Sequence, residues 1–545
     1  MRLRNGTSFV VGVLVISALG CVGPEQGPEG GQHGDVSRRF VVELADGQTV
    51  EGVQSAAEVF FTGEVRIEPL VEDVPGAAAA GLDRIFVVSA TDKDGTANPW
   101  DRARALEEAL GVERAEPDLE RVLEPASERA RAAGGCWWDA GVPTPADRTW
   151  ALHKLEAPAA WALPPPAGGK RFGEGVRVCH PDTGWTEHAE LDGALDLNSD
   201  RDVIDGDFHA EDPLEDRPGL NPGHGTATGS VIASRGGVDD DGPTGPGAIT
   251  GVAPKATLVP IRTIKSVIQA FDSDVARAVA YAPSAECDVV SMSLGGRLFF
   301  GLERAVRYAV EQGLIVVAAA GNCVGFVVAP AVYDDAIGVA ATNFEDEPWR
   351  GSSHGSAVTI SAPGEDVWCA RATGEDPVAP GDGTSFAAAE TAGLAALWLA
   401  HHGEAAIDTA RGARSRQDFF AELLTKTART PDEWNASEYG PGIANARTLL
   451  EEPLGPPAAA SPARLASNDA IALARMTGRR VADFGVVLTP DDLRRFGPEL
   501  SALALDDPEG FEALLSTDQA VERNAAALRV RSAASERLRA AIRNN

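Results

Sequence analysis

Apolar and polar positions change their rhythm several times along the chain. A basic start, Arg2 and Arg4, precedes an apolar run from Phe9 to Leu19. Residues 22–37 then lose all apolar periodicity and are rich in Gly, Pro, Glu and Gln, which predicts a flexible linker. Short β-like runs follow, Phe40-Val41-Val42 and Ile85-Phe86-Val87-Val88. Ala103, Leu106 and Leu110 recur at helical spacing, and Gly111 is placed to end that helix. Strands mixed with a helix predict a compact α+β unit over residues 38–124, followed by an Ala-, Gly- and Arg-rich linker over 125–149.

From 150 to 450 the rhythm becomes regular. Val176-Arg177-Val178, Asp288-Val289-Val290-Ser291, Ile315-Val316-Val317-Ala318 and Ile337-Gly338-Val339 are short apolar runs of the kind that fill a parallel sheet. Helical patterns lie between them. One carries Leu302, Val306, Ala309 and Val310 and stops at Gly313; another carries Val275, Val279 and Ala282 after Ser273, the expected N-cap. Alternation of this kind predicts an α/β domain with a doubly wound, mostly parallel sheet. Residues 451–545 read as a Pro/Ala linker and a helical tail, with a helical run from Ala520 to Arg531 to which no chemistry can be assigned.

Composition narrows the class. A chain of 545 residues exceeds what one core sustains, so several modules are expected. The net charge of −33 excludes nucleic acid as the main partner, because phosphate binding needs clustered Lys and Arg. No apolar run reaches the roughly 20 residues of a membrane-crossing helix. Residues 1–21 have the shape of a secretory signal peptide, and Ala18-Leu19-Gly20-Cys21 resembles the lipobox of bacterial lipoproteins, in which the cysteine is acylated. The expectation is an exported protein, extracellular or lipid-anchored at the bacterial envelope through Cys21. Six cysteines are present, none with zinc-site spacing, and their pairing is not legible.

The chemistry lies in four motifs. Pro181-Asp182-Thr183-Gly184, Gly223-His224-Gly225-Thr226 and Gly383-Thr384-Ser385-Phe386-Ala387 occur in that order, and Ala320-Gly321-Asn322 follows an apolar run. Each alone is an ordinary turn, loop or strand exit. Together, in this order, they resemble the subtilisin-like serine proteases, the subtilases, over about residues 150–450. The resemblance implies a triad in which His224 takes the Ser385 proton and Asp182 orients the imidazole. It implies Asn322 as oxyanion donor and Ser291-Met292-Ser293-Leu294-Gly295-Gly296 as the strand that pairs with substrate, with Ser293, Leu294, Gly295 and Gly321 at the binding site. It also implies that residues 38–124 are a propeptide, cleaved from the mature enzyme between Glu124 and Trp150. The expected partners are polypeptide substrates and the chain's own propeptide, and the chemistry needs no cofactor. A catalytically silent relative serving as a surface binding module is the alternative.

An acidic loop separates the first two motifs. Asp196, Asn198, Asp200 and Asp202 place oxygens at alternate positions that a structural calcium could gather, and Asp239-Asp240-Asp241-Gly242 is a weaker candidate. Departures from the family pattern are also visible. His180 and Pro181 stand where aliphatic residues are usual, so a bend is expected before Asp182. Ala389 replaces a proline, Glu390 replaces a histidine, and Cys323 follows Asn322. His180, His188, His209 and His354 read as surface or satisfied polar residues.

Overall fold

The computed structural model describes residues 39–119, 144–456, 469–477, 488–511 and 525–544, apart from 73, 92–97, 216–220, 237, 240–241, 244–247, 266–270, 375 and 509. The leader with Cys21, the 22–37 linker, most of the 125–149 segment and residues Asp240 and Asp241 lie outside the described residues.

The N-terminal unit is α+β, as the pattern predicts. Strand Arg39–Glu43 lies between Ile85–Ala90 and Arg114–Pro117, and Val65–Pro69 completes the antiparallel sheet beyond Ile85–Ala90. Helices Val50–Phe60 and Pro99–Leu110 cover one face, and Gly111 closes the second helix in the left-handed conformation, with φ 64°. Val41 and Val87 on the other face join the core of the larger domain.

That domain is built on seven strands in the order Ile360–Pro363, Ile337–Thr342, Ile315–Ala319, Val289–Met292, Arg177–Asp182, Thr257–Arg262, Arg201–Asp202. Every neighbouring pair among them is parallel. Successive side chains on a strand point to opposite faces, and the two faces make separate cores. Val290, Val316 and Ala318 meet helices Asp272–Tyr281 and Phe300–Glu311, whereas Val289, Ile315, Val317 and Ala319 meet helices His224–Ala233, Thr384–His402 and Arg416–Lys426. Helix Thr384–His402 is buried along its whole length, which explains why its sequence is apolar on all sides rather than striped.

Two expectations need correction. The helix after Phe271 starts at Asp272, not after a Ser273 cap. Ser273 sits inside its first turn because Asp118 of the N-terminal unit caps it, accepting from Ser273 N at 3.1 Å and from Ser273 Oγ at 2.6 Å. The strand carrying Pro181 runs in unbroken register with Thr257–Arg262 from Arg177 to Asp182. The missing N–H is tolerated because pairing with Val289–Met292, on the other side, extends only over Val178 and Cys179. A disulfide joins Cys179 on that strand to Cys287.

Beyond 456 the described residues form helices Asp469–Thr477, Pro490–Asp506, Ala525–Ala533 and Glu536–Asn544. Leu473, Phe496, Leu500 and Leu538 enter the same core as Phe299 and Leu82. Among the described residues, no helix is long and apolar enough to cross a membrane.

Candidate active site

The motif residues converge at the C-terminal ends of the central strands. Asp182 is the last residue of its strand, His224 is the first of helix His224–Ala233, Asn322 follows Ile315–Ala319, and Ser385 lies in the first turn of Thr384–His402. Glycines permit this convergence. A Cβ on Gly225 would stand 2.1 Å from the Gly184 carbonyl oxygen, so only glycine lets the histidine helix approach the aspartate turn.

Asp182 Oδ1 accepts from His224 Nδ1 at 2.8 Å and from Thr183 N at 2.7 Å. The carboxyl is fully buried, and burial alone would raise its pKa; the charge and hydrogen bond of His224 outweigh that and hold it below the ordinary range. An ionised carboxylate can only accept, so Nδ1 carries the proton and Nε2 is left as the basic nitrogen.

Ser385 is coupled to Ser293 in both directions. Ser385 Oγ donates to the Ser293 carbonyl at 3.2 Å, and Ser293 Oγ donates to the Ser385 carbonyl at 2.8 Å. The hydroxyl therefore rests on the Ser293-Leu294-Gly295 segment, and catalysis through His224 would need it to turn toward the imidazole. Catalytic hydrogen bonds commonly form only when substrate is bound.

Asn322 is held by one acceptor atom. Its Oδ1 accepts from Thr384 N at 3.0 Å and Thr384 Oγ1 at 2.8 Å, and Thr384 Oγ1 in turn accepts from Gly321 N at 3.1 Å. The backbone N–H can only donate, so the orientation of the amide is unambiguous and Nδ2 is the free donor. Gly383, at φ 155°, keeps that donor clear, since a Cβ there would lie 3.2 Å from Asn322 Nδ2.

His180 is no surface residue. It is buried, with Nε2 3.1 Å from Thr228 Oγ1 and 3.7 Å from Asp182 Oδ2, and burial lowers its pKa so that it stays neutral. Thr228 also donates toward Asp182 Oδ2, at 3.4 Å. Thr228 was legible in principle: it stands one helical turn after His224, on the same face. The second role of Thr384 had no signal beyond its place between Gly383 and Ser385. Glu390 is buried in the serine helix, and burial raises its carboxyl well above the usual range, so it is a neutral acid there. Cys323 is disulfide-bonded, and Cys369 is a buried free thiol.

The described carboxylates of the acidic loop meet partners within the protein. Among the described residues, no three His, Cys, Asp or Glu side chains are grouped to hold a metal ion. Asp196 pairs with Arg177 at 2.8 Å and accepts from Asn198 N, Asp200 accepts from Ala210 N, and Asp202 pairs with Arg262 at 2.5 Å. Arginines from two neighbouring strands thus meet the charges of Asp196 and Asp202, while Asp200 is held by a backbone amide.

The Subtilase family profile matches residues 173–442. Thermitase of Thermoactinomyces vulgaris is 34% identical over 263 residues, which cover 48% of this chain and 84% of that protein. A thermophilic serine proteinase of Bacillus sp. strain AK1 is 34% identical over 227 residues, 41% of this chain and 52% of its own. A solved protease structure from Pseudoalteromonas arctica PAMC 21717 superposes with a TM-score of 0.46 at 25% identity, covering 57% of this chain and 99% of that one. The chain belongs to the subtilase family and is a serine-type peptidase.

Proposed function

We propose that this chain is an exported serine endopeptidase that cleaves polypeptides through an acyl-enzyme, with Asp182, His224 and Ser385 as its triad and Asn322 as oxyanion donor. The observation that carries the reading is the 2.8 Å bond from His224 Nδ1 to Asp182 Oδ1, which leaves Nε2 basic beside the helix that bears Ser385. In the first step Ser385 Oγ attacks the scissile carbonyl carbon as its proton passes to His224 Nε2. The carbonyl oxygen becomes an oxyanion that Asn322 Nδ2 meets, assisted by the amides at the start of helix Thr384–His402. The imidazolium then protonates the leaving amine, and water repeats the sequence on the ester.

The N-terminal unit is read as the propeptide. Its last strand, Arg114–Pro117, docks directly after the substrate segment: fully buried Arg297 donates to Pro117 O at 2.7 Å and Glu116 Oε2 at 3.3 Å. Export by the 1–21 leader and anchoring through a lipidated Cys21 complete the reading.

Phenylmethylsulfonyl fluoride labelling followed by peptide mapping tests it. Modification at Ser385 that disappears in His224→Ala is the expected result. A folded protein that takes no label points instead to a silent binding module.

A further inference from the structure

The tail helices touch both halves of the molecule at one place. Ser535 caps helix Glu536–Asn544 with its hydroxyl, which accepts from Leu538 N at 3.1 Å. The two preceding amides are taken by the N-terminal unit: Asp101 Oδ2 accepts from Glu536 N at 2.7 Å and Asp101 Oδ1 from Arg537 N at 3.3 Å. Asn98, just before helix Pro99–Leu110, donates to Ala533 O at 2.9 Å, at the end of the previous tail helix. Glu108, two turns along the same helix, pairs with Arg537, Nη2 to Oε2 at 3.0 Å. Arg104 reaches the Arg495 carbonyl.

On its other side the tail holds the peptidase domain. Leu298 N donates to Ser501 Oγ at 3.0 Å, and Arg475 pairs with Asp334. Leu298 follows Arg297, the residue that grips Glu116 and Pro117 and lies 5.0 Å over the Trp100 ring. Buried Phe496, Leu500 and Leu538 belong to one continuous core with Leu298 and Phe300 of the peptidase domain and Leu70 and Leu82 of the N-terminal unit.

We infer that the C-terminal helices clamp the N-terminal unit onto the peptidase domain and retain it after the connecting segment is cut. The inference rests on the reading of that unit as a propeptide. Two carboxylates of the unit serve as caps for helices outside it, Asp118 for Asp272–Tyr281 and Asp101 for Glu536–Asn544. Cutting the linker removes neither cap, so hydrolysis and release become separate events.

The test uses the full chain with Asp101→Ala and Arg537→Ala, neither of which touches the triad. Size-exclusion chromatography with detection of the N-terminal fragment is run alongside turnover of a chromogenic peptide. In the unaltered chain the cut fragment should co-elute with the enzyme and activity should lag behind cleavage. Both variants should be cut at the same rate yet release the fragment sooner, with a shorter lag, roughly tenfold for Asp101→Ala, which loses a cap, and roughly two- to fivefold for Arg537→Ala, which loses an exposed pair. Release and lag unchanged in the variants, with cutting normal, would overturn the clamp alone. An active unaltered chain whose N-terminal unit is never cut would overturn the propeptide reading and the clamp together.

Discussion

Thr384 donates both its amide and its hydroxyl to Oδ1 of Asn322, at 3.0 and 2.8 Å, and stands immediately before Ser385. The proposed nucleophile and the proposed oxyanion donor are thus held by one turn of helix. Loss of an oxyanion donor costs about 10²–10³ in kcat, so Asn322→Ala should fall by that factor with KM nearly unchanged. Thr384→Val keeps the amide bond and loses only the hydroxyl, a hydrogen bond whose net worth is about 0.5–1.5 kcal/mol. Its kcat should drop about 2- to 10-fold. Steady-state kinetics on a peptide amide decide the matter, and a Thr384→Val enzyme with full kcat refutes the coupling.

The approach of His224 to Asp182 was legible because their motifs carry glycines dictated by close backbone approach, as Gly225 against the Gly184 carbonyl demonstrates. The alternating sheet was legible for a similar local reason, since strands buried on both faces leave continuous apolar runs. What escaped depends on partners far away in the chain. Ser273 reads as a cap until Asp118, 155 residues earlier, is seen to occupy that role. The tail carries no motif, yet Ser501 binds Leu298 across 203 residues. Of the two readings His180 allowed, surface or satisfied polar, the second holds, with Thr228 and Asp182 as its partners.

Val328 fills the space between the two segments that flank Ser385. A Cβ on Gly295 would come within 2.3 Å of Val328 Cγ2, and one on Gly321 within 3.0 Å of both its methyl groups. If the Ser293-Leu294-Gly295 and Gly321 segments line the site as proposed, an isopropyl group there should admit only a small side chain on the residue preceding the scissile bond. Removing methylenes from such a pocket changes discrimination by about 10- to 200-fold each. Val328→Gly should therefore raise kcat/KM for Phe or Leu relative to Ala by at least roughly tenfold. A peptide-library profile that is the same in both enzymes would refute this.

The acidic loop should be insensitive to chelators and sensitive to arginine. Arg262 is bound to Asp202 at 2.5 Å and Asp205 at 2.6 Å, and both Arg262 and Asp202 are buried. Replacing one partner of a buried pair strands the other, at a cost of about 3–5 kcal/mol. Arg262→Met should lower Tm by several degrees, whereas EDTA should leave the Tm of the unaltered chain in place. Calorimetry that finds the reverse would restore the calcium reading.

Docking of the N-terminal unit should weaken as pH rises through about 6. Asp274 lies in its interface: Arg39 of the N-terminal unit reaches its carboxylate at 2.9 Å, Asp118 stands on the same guanidinium at 2.7 Å, and Arg277 approaches from one turn along the helix at 3.2 Å. Burial, with Asp118 adding to it against the opposing arginines, pushes the Asp274 pKa up to about 6. Separation of the two units exposes that carboxyl and returns it toward the ordinary value of about 4. Between these values the docked form binds the extra proton, so the contribution is present at low pH and is lost as pH climbs past the docked pKa. With Ser385→Ala to prevent turnover and a cut introduced in the connecting segment, the fragment should dissociate about tenfold more readily at pH 7.5 than at pH 5. Asp274→Asn, which mimics the protonated form, should hold its fragment equally at both. A pH dependence that persists in Asp274→Asn would place the titrating group elsewhere in the interface.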